Sequence, residues 1–467
     1  MPSALVIGGG LAGSEAAWQM ARVGIAVDLY EMRPDRRTPA HRTGWLGELV
    51  CSNSLKSDAD DTASGMLKRE LRALGSMILE AADRTAVPAG SALAVDRDRF
   101  AEEITRRLQQ HPLVRIISRE VTRLPAGRPL VVASGPLTSE ALAEDLAAQL
   151  GQENLFFFDA IAPLIEADSL DESQIFAGSR YGKGAPAYLN CPLDRQQYQR
   201  FYDQLVAAET VPLHSFEGDL FFQACLPIEE MARRGPQTLL FGPLRPVGLI
   251  DPRTGERPWA VVQLRQDNTQ GSIYNMVGCQ TRMRQPEQRR VFRLIPGLER
   301  ARFLRYGSIH RNTYVCAPRL LDPDLSVRGR ADLFLAGQIT GAEGYVEAAA
   351  TGLLAGLNAA CRLQNRPPVL PPETTLLGSL CRYLATADAE QFQPMNVNFG
   401  ILPPPGKPIR NKRDRRKWMI RRGLTDLDVW TRKEGLHRRG EPGTIAQKIS
   451  GLSGSGAKLL REHGQGL

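Results

Sequence analysis

The apolar positions of this chain fall into short runs that end in glycine. Ala4-Leu5-Val6-Ile7 is the first, an unbroken run suited to a strand buried on both faces, and it leads straight into Gly8-Gly9-Gly10-Leu11-Ala12-Gly13. Residues 11–23 carry helical spacing, and Ala26-Val27-Asp28-Leu29-Tyr30 is a second strand pattern that ends at Glu31. A third strand pattern, Leu130-Val131-Val132-Ala133-Ser134, closes on Gly135-Pro136. Far downstream Asp332-Leu333-Phe334-Leu335-Ala336 enters Gly337-Gln338-Ile339-Thr340-Gly341, and residues 348–356 follow as a helix rich in alanine and glycine. Between roughly 181 and 304 the strand–helix alternation gives way to short strands punctuated by Pro and Gly, such as Ala260-Val261-Val262-Gln263-Leu264. Two proline-rich stretches, 366–372 and 402–408, read as extended linkers.

These blocks predict an α/β chain whose early and late strands share one sheet, interrupted by an insertion. In the first glycine run, Gly8 permits the tight turn, Gly10 lets backbone approach a pyrophosphate, and Gly13 lets the helix pack close to the strand. The helix start at Leu11 and Ala12 aims free N–H groups and the positive dipole end at phosphates. Glu31, 18 residues beyond Gly13, is placed to accept hydrogen bonds from a ribose. With Gly9, these residues form the expected dinucleotide site. The late strand end decides between cofactors. A returning strand that meets the flavin side favours FAD over a nicotinamide dinucleotide, with Gly337, Gln338 and Gly341 at that end. The expected architecture is a discontinuous Rossmann-type FAD-binding domain, glutathione-reductase-like, at 1–180 and 305–405. A smaller α+β substrate domain is inserted at 181–304, a basic segment covers 406–438, and a flexible tail covers 439–467.

Bulk properties narrow the class. A chain of 467 residues, 42% hydrophobic and 24% charged, has room for two or three domains with ordinary cores. Its apolar runs are too short for a membrane-spanning helix. The first of them is taken up by a strand rather than a leader peptide, so a cytoplasmic location is expected. Seven cysteines (51, 191, 225, 279, 316, 361 and 381) are an odd number without a Cys-x-x-Cys pair. That pattern argues against a disulfide framework, a metal site and a disulfide-reductase flavoenzyme. The net charge of +8 is local: residues 406–439 hold 13 Lys or Arg against four acids, which leaves the remainder near −1. Its densest piece, Arg410-Asn411-Lys412-Arg413-Asp414-Arg415-Arg416-Lys417-Trp418, suits a phosphate backbone with an aromatic to stack. A solvated basic tail is the other reading of the charge alone.

Longer strings go beyond a generic flavoprotein. They include Gly47-Glu48-Leu49-Val50-Cys51-Ser52-Asn53-Ser54-Leu55-Lys56-Ser57-Asp58, Cys225-Leu226-Pro227-Ile228-Glu229-Glu230-Met231-Ala232 and Phe241-Gly242-Pro243-Leu244-Arg245-Pro246. Further strings are Tyr274-Asn275-Met276-Val277-Gly278-Cys279-Gln280-Thr281, Gly341-Ala342-Glu343-Gly344-Tyr345-Val346-Glu347 and Met395-Asn396-Val397-Asn398-Phe399-Gly400. Over about residues 1–435 the chain closely resembles the folate- and FAD-dependent tRNA uracil-5-methyltransferases. The resemblance implies FAD as cofactor, with 5,10-methylenetetrahydrofolate as methylene donor and NAD(P)H as the source of electrons. The implied acceptor is the T-loop uridine at tRNA position 54, giving ribothymidine, with no obligate protein partner. It also marks Cys51 and Cys225 as catalytic.

The chemistry fits two thiols. Thiolate attack at uracil C6 makes C5 nucleophilic, and a general base must then remove the C5 proton. Cys51 is assigned as nucleophile and Cys225 as acid/base, with the reverse assignment left open. A helix starting at Ser52-Asn53-Ser54, near Lys56, would lower the Cys51 thiol pKa. Cys279, Cys316, Cys361 and Cys381 read as buried small hydrophobes, and Cys191 is left open. His214 and Tyr345 are candidates to stack on the pterin. Arg265, Arg282 and Arg284 are candidates for the folate glutamate tail or tRNA phosphates, and Arg413, Arg415, Arg416 and Lys417 for tRNA phosphates. Two other classes stay in view: a small-molecule FAD oxidoreductase, and a tRNA-binding flavoprotein without methyl-transfer activity.

Overall fold

Leu5 lies at the centre of the sheet that the apolar runs build. The computed structural model describes residues 3–38, 40–151, 155–182, 186–212 and 226–436. Strand Ser3–Ile7 pairs in parallel with Ala26–Glu31 on one side and Leu130–Val132 on the other, with Leu5 opposite both Asp28 and Leu130. Arg330–Leu335 adds beyond Leu130–Val132, again parallel, with Leu333 opposite Leu130. Val114–Ser118 flanks Ala26–Glu31, and Ser326–Val327 closes the far edge antiparallel. Pieces from both ends of the chain therefore share one six-stranded sheet. Parallel neighbours need long crossovers, which is where the intervening sequence goes. The first strand is covered on both faces: Ala4, Leu5, Val6 and Ile7 are 0–4% exposed.

Helix Tyr345–Leu363 lies directly on helix Leu11–Arg22. A Cβ on Gly352 would fall 2.2 Å from the Ala12 carbonyl oxygen, and one on Gly356 would fall 2.6 Å from that of Ala16. The small residues let two backbones touch, which fixes the late helix against the early glycine turn.

A second, antiparallel sheet has the order Phe176–Ala177, Tyr188–Leu193, Ala260–Gln266, Ile273–Val277, Leu164–Glu166, Phe303–Arg305. It has its own core, to which helices Arg195–Val206 and Gln285–Phe292 contribute Phe201 and Phe292. Two of its strands, Leu164–Glu166 and Phe176–Ala177, precede residue 181, so this sheet starts ahead of the expected border. Both are two- or three-residue pieces that pair with longer strands further along the chain. Strands Leu155–Ile161 and Ser308–Tyr314 form a separate antiparallel pair that leaves and re-enters the first sheet's half.

The basic stretch is not a free tail within the described residues. Lys412–Glu434 is a 23-residue helix whose first turn is capped by the Asn411 side chain. It buries Met419, Ile420, Leu424, Leu427 and Trp430 against the first core, and Gly423 sits against Met66 and Thr374. The tail expected at 439–467 lies outside the described residues. No described helix is long and apolar enough to cross a membrane.

Candidate active site

Three glycines shape the turn after the first strand. Gly8 has φ +100°, and a Cβ there would lie 2.4 Å from the Ala133 carbonyl oxygen. A Cβ on Gly13 would lie 1.8 Å from the Gly8 carbonyl oxygen, whereas one on Gly10 would meet no atom within 4 Å. Gly10 and the helix start at Leu11 and Ala12 therefore face open space. That space is a cleft of about 1000 Å³ that also takes in Glu31, Arg119, Ala133, Gly337, Gln338 and Tyr345. It crosses the carboxyl ends of five parallel strands, where open α/β sheets bind ligands.

Glu31 is 6% exposed. It accepts bonds from Gly9 N–H at 2.8 Å and from the Arg33 backbone and Nε at 3.1 and 2.9 Å. Burial pushes its carboxyl up, but the Arg33 bonds and charge, with Gly9 N–H, outweigh it and hold the group below the usual carboxylate range. A carboxylate has about four acceptor positions, so capacity remains for a ribose hydroxyl. Gly337, at φ +81°, gives its N–H to Thr351 Oγ1 at 2.8 Å and backs onto Ala12. The open Gly10, the helix N-terminus and the charged acid fit FAD. Gly9 is filled from behind by Glu31 and Leu46, and Gly341 packs on Phe392 and lines neither this cleft nor the cavity beside it.

That neighbouring cavity, about 1120 Å³, contains Cys51 and shares Val50, Pro136, Leu137, Gln338 and Tyr345 with the cleft. Cys51 is half-buried, while Cys191, Cys279, Cys316, Cys361 and Cys381 are buried, so among the described cysteines it alone has access. Burial pushes the Cys279 thiol up to about 12 and that of Cys191 further still. No helix begins after Cys51. Ser52 and Ser54 accept N–H bonds from residues two further on, a local turn geometry that competes with helix. Ser54–Ser57 is instead a strand paired with Ala92–Val95. The expected helix dipole is therefore absent. Lys56, at an unusual φ of +64°, is engaged by Glu347 at 3.2 Å and by Asn396.

Positive charge reaches the Cys51 loop from elsewhere. Arg97 donates to the Leu49 and Cys51 carbonyls at 2.8 and 3.1 Å, and Arg305 donates to Val50 and Cys51 at 3.1 Å each. Arg265 donates to Asn53 Oδ1 at 2.9 Å, and the Tyr345 hydroxyl oxygen accepts N–H bonds from Cys51 and Ser52 at 2.8 and 3.2 Å. Sequence reading singles out neither Arg97 nor Arg305. They stand 46 and 254 residues from Cys51, and no local spacing signals them.

Of the other candidates, Tyr345 and Arg265 line the Cys51 cavity. Arg282 and Arg284 do not: Arg282 is paired with Glu230, and Arg284, at 57% side-chain exposure, lies 3.7 Å from Glu209. Cys225 and His214 lie outside the described residues. Arg413, Arg415 and Lys417 stand exposed on the outer face of helix Lys412–Glu434, while Arg416 is half-buried with its guanidinium 5.6 Å over Phe399.

A family profile described as GIDA, Glucose inhibited division protein A, matches residues 3–367. Among solved structures, Aquifex aeolicus GidA superposes with a TM-score of 0.67 at 18% identity, covering 94% of this chain and 74% of its own. That likeness speaks for the fold. A protein of Desulforudis audaxviator (strain MP104C) named methylenetetrahydrofolate–tRNA-(uracil-5-)-methyltransferase TrmFO is 54% identical over 432 residues, 92% of this chain and 98% of the relative. One of the same name from Geobacter sulfurreducens (strain ATCC 51573 / DSM 12127 / PCA) is 55% identical over 426 residues, 91% of this chain and 98% of the relative. Through these matches the chain belongs to the GidA family and, within it, to the methylenetetrahydrofolate–tRNA-(uracil-5-)-methyltransferases of the TrmFO type.

Proposed function

We propose that this chain methylates C5 of the T-loop uridine of tRNA, taking the carbon from 5,10-methylenetetrahydrofolate, with FAD in the glycine cleft and NAD(P)H as reductant. One observation carries the reading. The accessible thiol, Cys51, sits in a cavity that adjoins the FAD cleft at Gln338 and Tyr345. FAD, when bound and reduced, supplies the hydride that completes the methyl group. The chain's own residues supply the rest. Cys51 adds to C6 and makes C5 nucleophilic, and its departure restores the ring. Cys225 removes the C5 proton. Tyr345 and Arg265, both in that cavity wall, are the residues placed to meet the folate.

The uridine must leave its stack to reach Cys51, so recognition rests on phosphates and RNA shape, with the outer face of helix Lys412–Glu434 as the phosphate contact. The division of labour follows the two sheets: FAD on the parallel one, and folate and tRNA between it and the antiparallel one. With tRNA as substrate and no membrane-spanning helix described, the cytoplasm is the working compartment.

The test is methyl transfer to an unmodified tRNA transcript by FAD-loaded protein, with methylenetetrahydrofolate in one reaction and S-adenosylmethionine in the other. Ribothymidine formed only with folate is the expected result, and a folate-independent product removes the proposal. A 5-fluorouridine RNA should form a covalent adduct with Cys225→Ala but not with Cys51→Ala. The opposite pattern exchanges the two roles.

A further inference from the structure

Leu239 is buried in the second core, so Phe241, two residues on and about 200° round helix Pro236–Phe241, points the other way. Phe241 is 80% exposed, and Tyr181, Val247, Ile250 and Trp259 are exposed as well. Phe241, Val247 and Trp259 line one open groove of about 1530 Å³. Ile250 precedes Asp251 of that groove, and the Tyr181 ring lies against Gly248. Five of the twelve exposed large apolar side chains among the described residues thus share one face of the inserted domain. A cluster of that kind marks a contact surface, where single exposed side chains would not.

The loop that carries it is held rigidly. Arg180 donates to the Arg245 carbonyl and, at 3.1 Å, to that of Val247. Asp251 accepts from the Arg253 N–H, Nε and Nη2 at 3.0, 3.0 and 2.7 Å. With Asp251 taken up by Arg253, the exposed guanidiniums of Arg195, Arg245 and Arg257 have no acid partner among the described residues. Arg195 lies 5.4 Å over the Trp259 ring, which leaves the other ring face open. Against these three stand Glu256 and Asp194, and Asp194 caps helix Arg195–Val206 through the Gln197 N–H at 2.8 Å. Exposed rings interleaved with planar, unpaired cations suit unstacked bases and their phosphates.

The groove is continuous with the Cys51 cavity. Arg180 Nε bonds Gln263 Oε1 at 3.0 Å, and Gln263 stands two positions from Arg265 on strand Ala260–Gln266, about 7 Å along the same face. Arg265 lines the Cys51 cavity, as does Gln280. Two residues before Gln280, Gly278 sits against Pro243 of the groove's loop. A uridine seated in the cavity therefore brings its neighbouring nucleotides towards this face.

We propose that the Phe241–Trp259 groove binds unstacked loop nucleotides of tRNA that flank the target uridine, with bases on Phe241 and Trp259 and phosphates on Arg245 and Arg257. The inference rests on the reading of tRNA as substrate. It assigns to the inserted domain a contact made by stacking, separate from the phosphate contacts of helix Lys412–Glu434.

The experiment is filter binding of an unmodified tRNA transcript by full-length FAD-loaded protein over a range of salt concentrations. Phe241→Ala should bind roughly tenfold more weakly with the salt slope of the wild type, because stacking releases no counterions. Arg245→Gln combined with Arg257→Gln should flatten the slope of log affinity against log salt by about 1.4, about 0.7 for each single-strand phosphate. Leu370→Ala, an exposed residue beside Val369 of the first core, is the control and should bind as the wild type. The substituted side chains are all exposed, and unchanged flavin content checks that the fold is kept. Wild-type affinity and slope in both groove variants overturns the proposal. So does a wild-type dimer that Phe241→Ala converts to a monomer in sedimentation with tRNA affinity intact, since the face would then hold a second copy of the chain. Binding is read without turnover, so weakened variants support the surface even where no ribothymidine forms, and failure of the methylation reading shows separately.

Discussion

At the scale of single residues, Glu31 shows how a buried carboxylate stays charged. Its donors, Gly9 N–H and Arg33, are fixed by backbone and by a bidentate-capable guanidinium, so little reorganisation is needed to hold the anion. The folded protein thus keeps Glu31 ionised to lower pH than the unfolded chain, whose reference value is 4.5. For a depressed acid the stabilisation is complete above the unfolded value and is lost as pH falls through the folded one. Glu31→Gln places an amide N–H₂ or a neutral oxygen against Gly9 N–H and Arg33, and at pH 7 it should cost roughly 1–3 kcal/mol. Urea unfolding of both proteins at pH 7 and near pH 3 checks this. The gap between them should narrow at the acid end, and an unchanged gap would assign the effect to packing rather than charge.

At the scale of elements, the contact between helices Leu11–Arg22 and Tyr345–Leu363 depends on glycine. Gly352→Ala puts a methyl group 2.2 Å from the Ala12 carbonyl oxygen, so the helices must part. Overpacking of this kind costs about 1–3 kcal/mol, and because Ala12 and Ala348 line the FAD cleft, the variant should also release flavin faster. Thermal unfolding and flavin fluorescence are the measurements. Gly406→Ala, which would meet no atom within 4 Å, is the matched control and should behave as the wild type. The causes that made this region legible are local: an apolar run, glycines at fixed offsets and a stripe of small residues, each readable within about ten residues. The Cys51 loop was legible only in part. Its serines satisfy a helix cap and a turn equally well, and pairing with Ala92–Val95 decides between them. Arg97 and Arg305 act from distant elements and leave no trace near Cys51. The antiparallel sheet's early strands escaped for the same reason, since Leu164–Glu166 acquires its meaning from Ile273–Val277 more than a hundred residues later.

At the scale of the molecule, the dominant asymmetry is charge. Residues outside 406–439 are close to neutral, and the excess stands largely on one docked helix whose apolar side is committed to the core. Rigid docking matters because a phosphate contact made from an anchored helix loses less side-chain and backbone freedom than one made from a free tail. Trp418 is 38% exposed and already carries the Arg422 guanidinium 4.6 Å over its ring, so only its other face is open to a base. Binding should then be mainly electrostatic and strongly salt-dependent. Replacing Arg413, Arg415, Arg416 and Lys417 together with Gln leaves the apolar residues docked on the core unchanged and gives up one partly buried contact, that of Arg416 with Phe399, so the fold and the flavin should be retained. If each of the four meets one phosphate, the slope of log affinity against log salt should become shallower by about 3. Filter binding of an unmodified tRNA transcript at several salt concentrations measures that slope. A wild-type slope with weaker binding would mean that the helix supports the fold of the site rather than touching RNA. A slope and affinity both equal to the wild type would move the phosphate contacts to the cleft between the two sheets, where Arg265 lines the cavity wall.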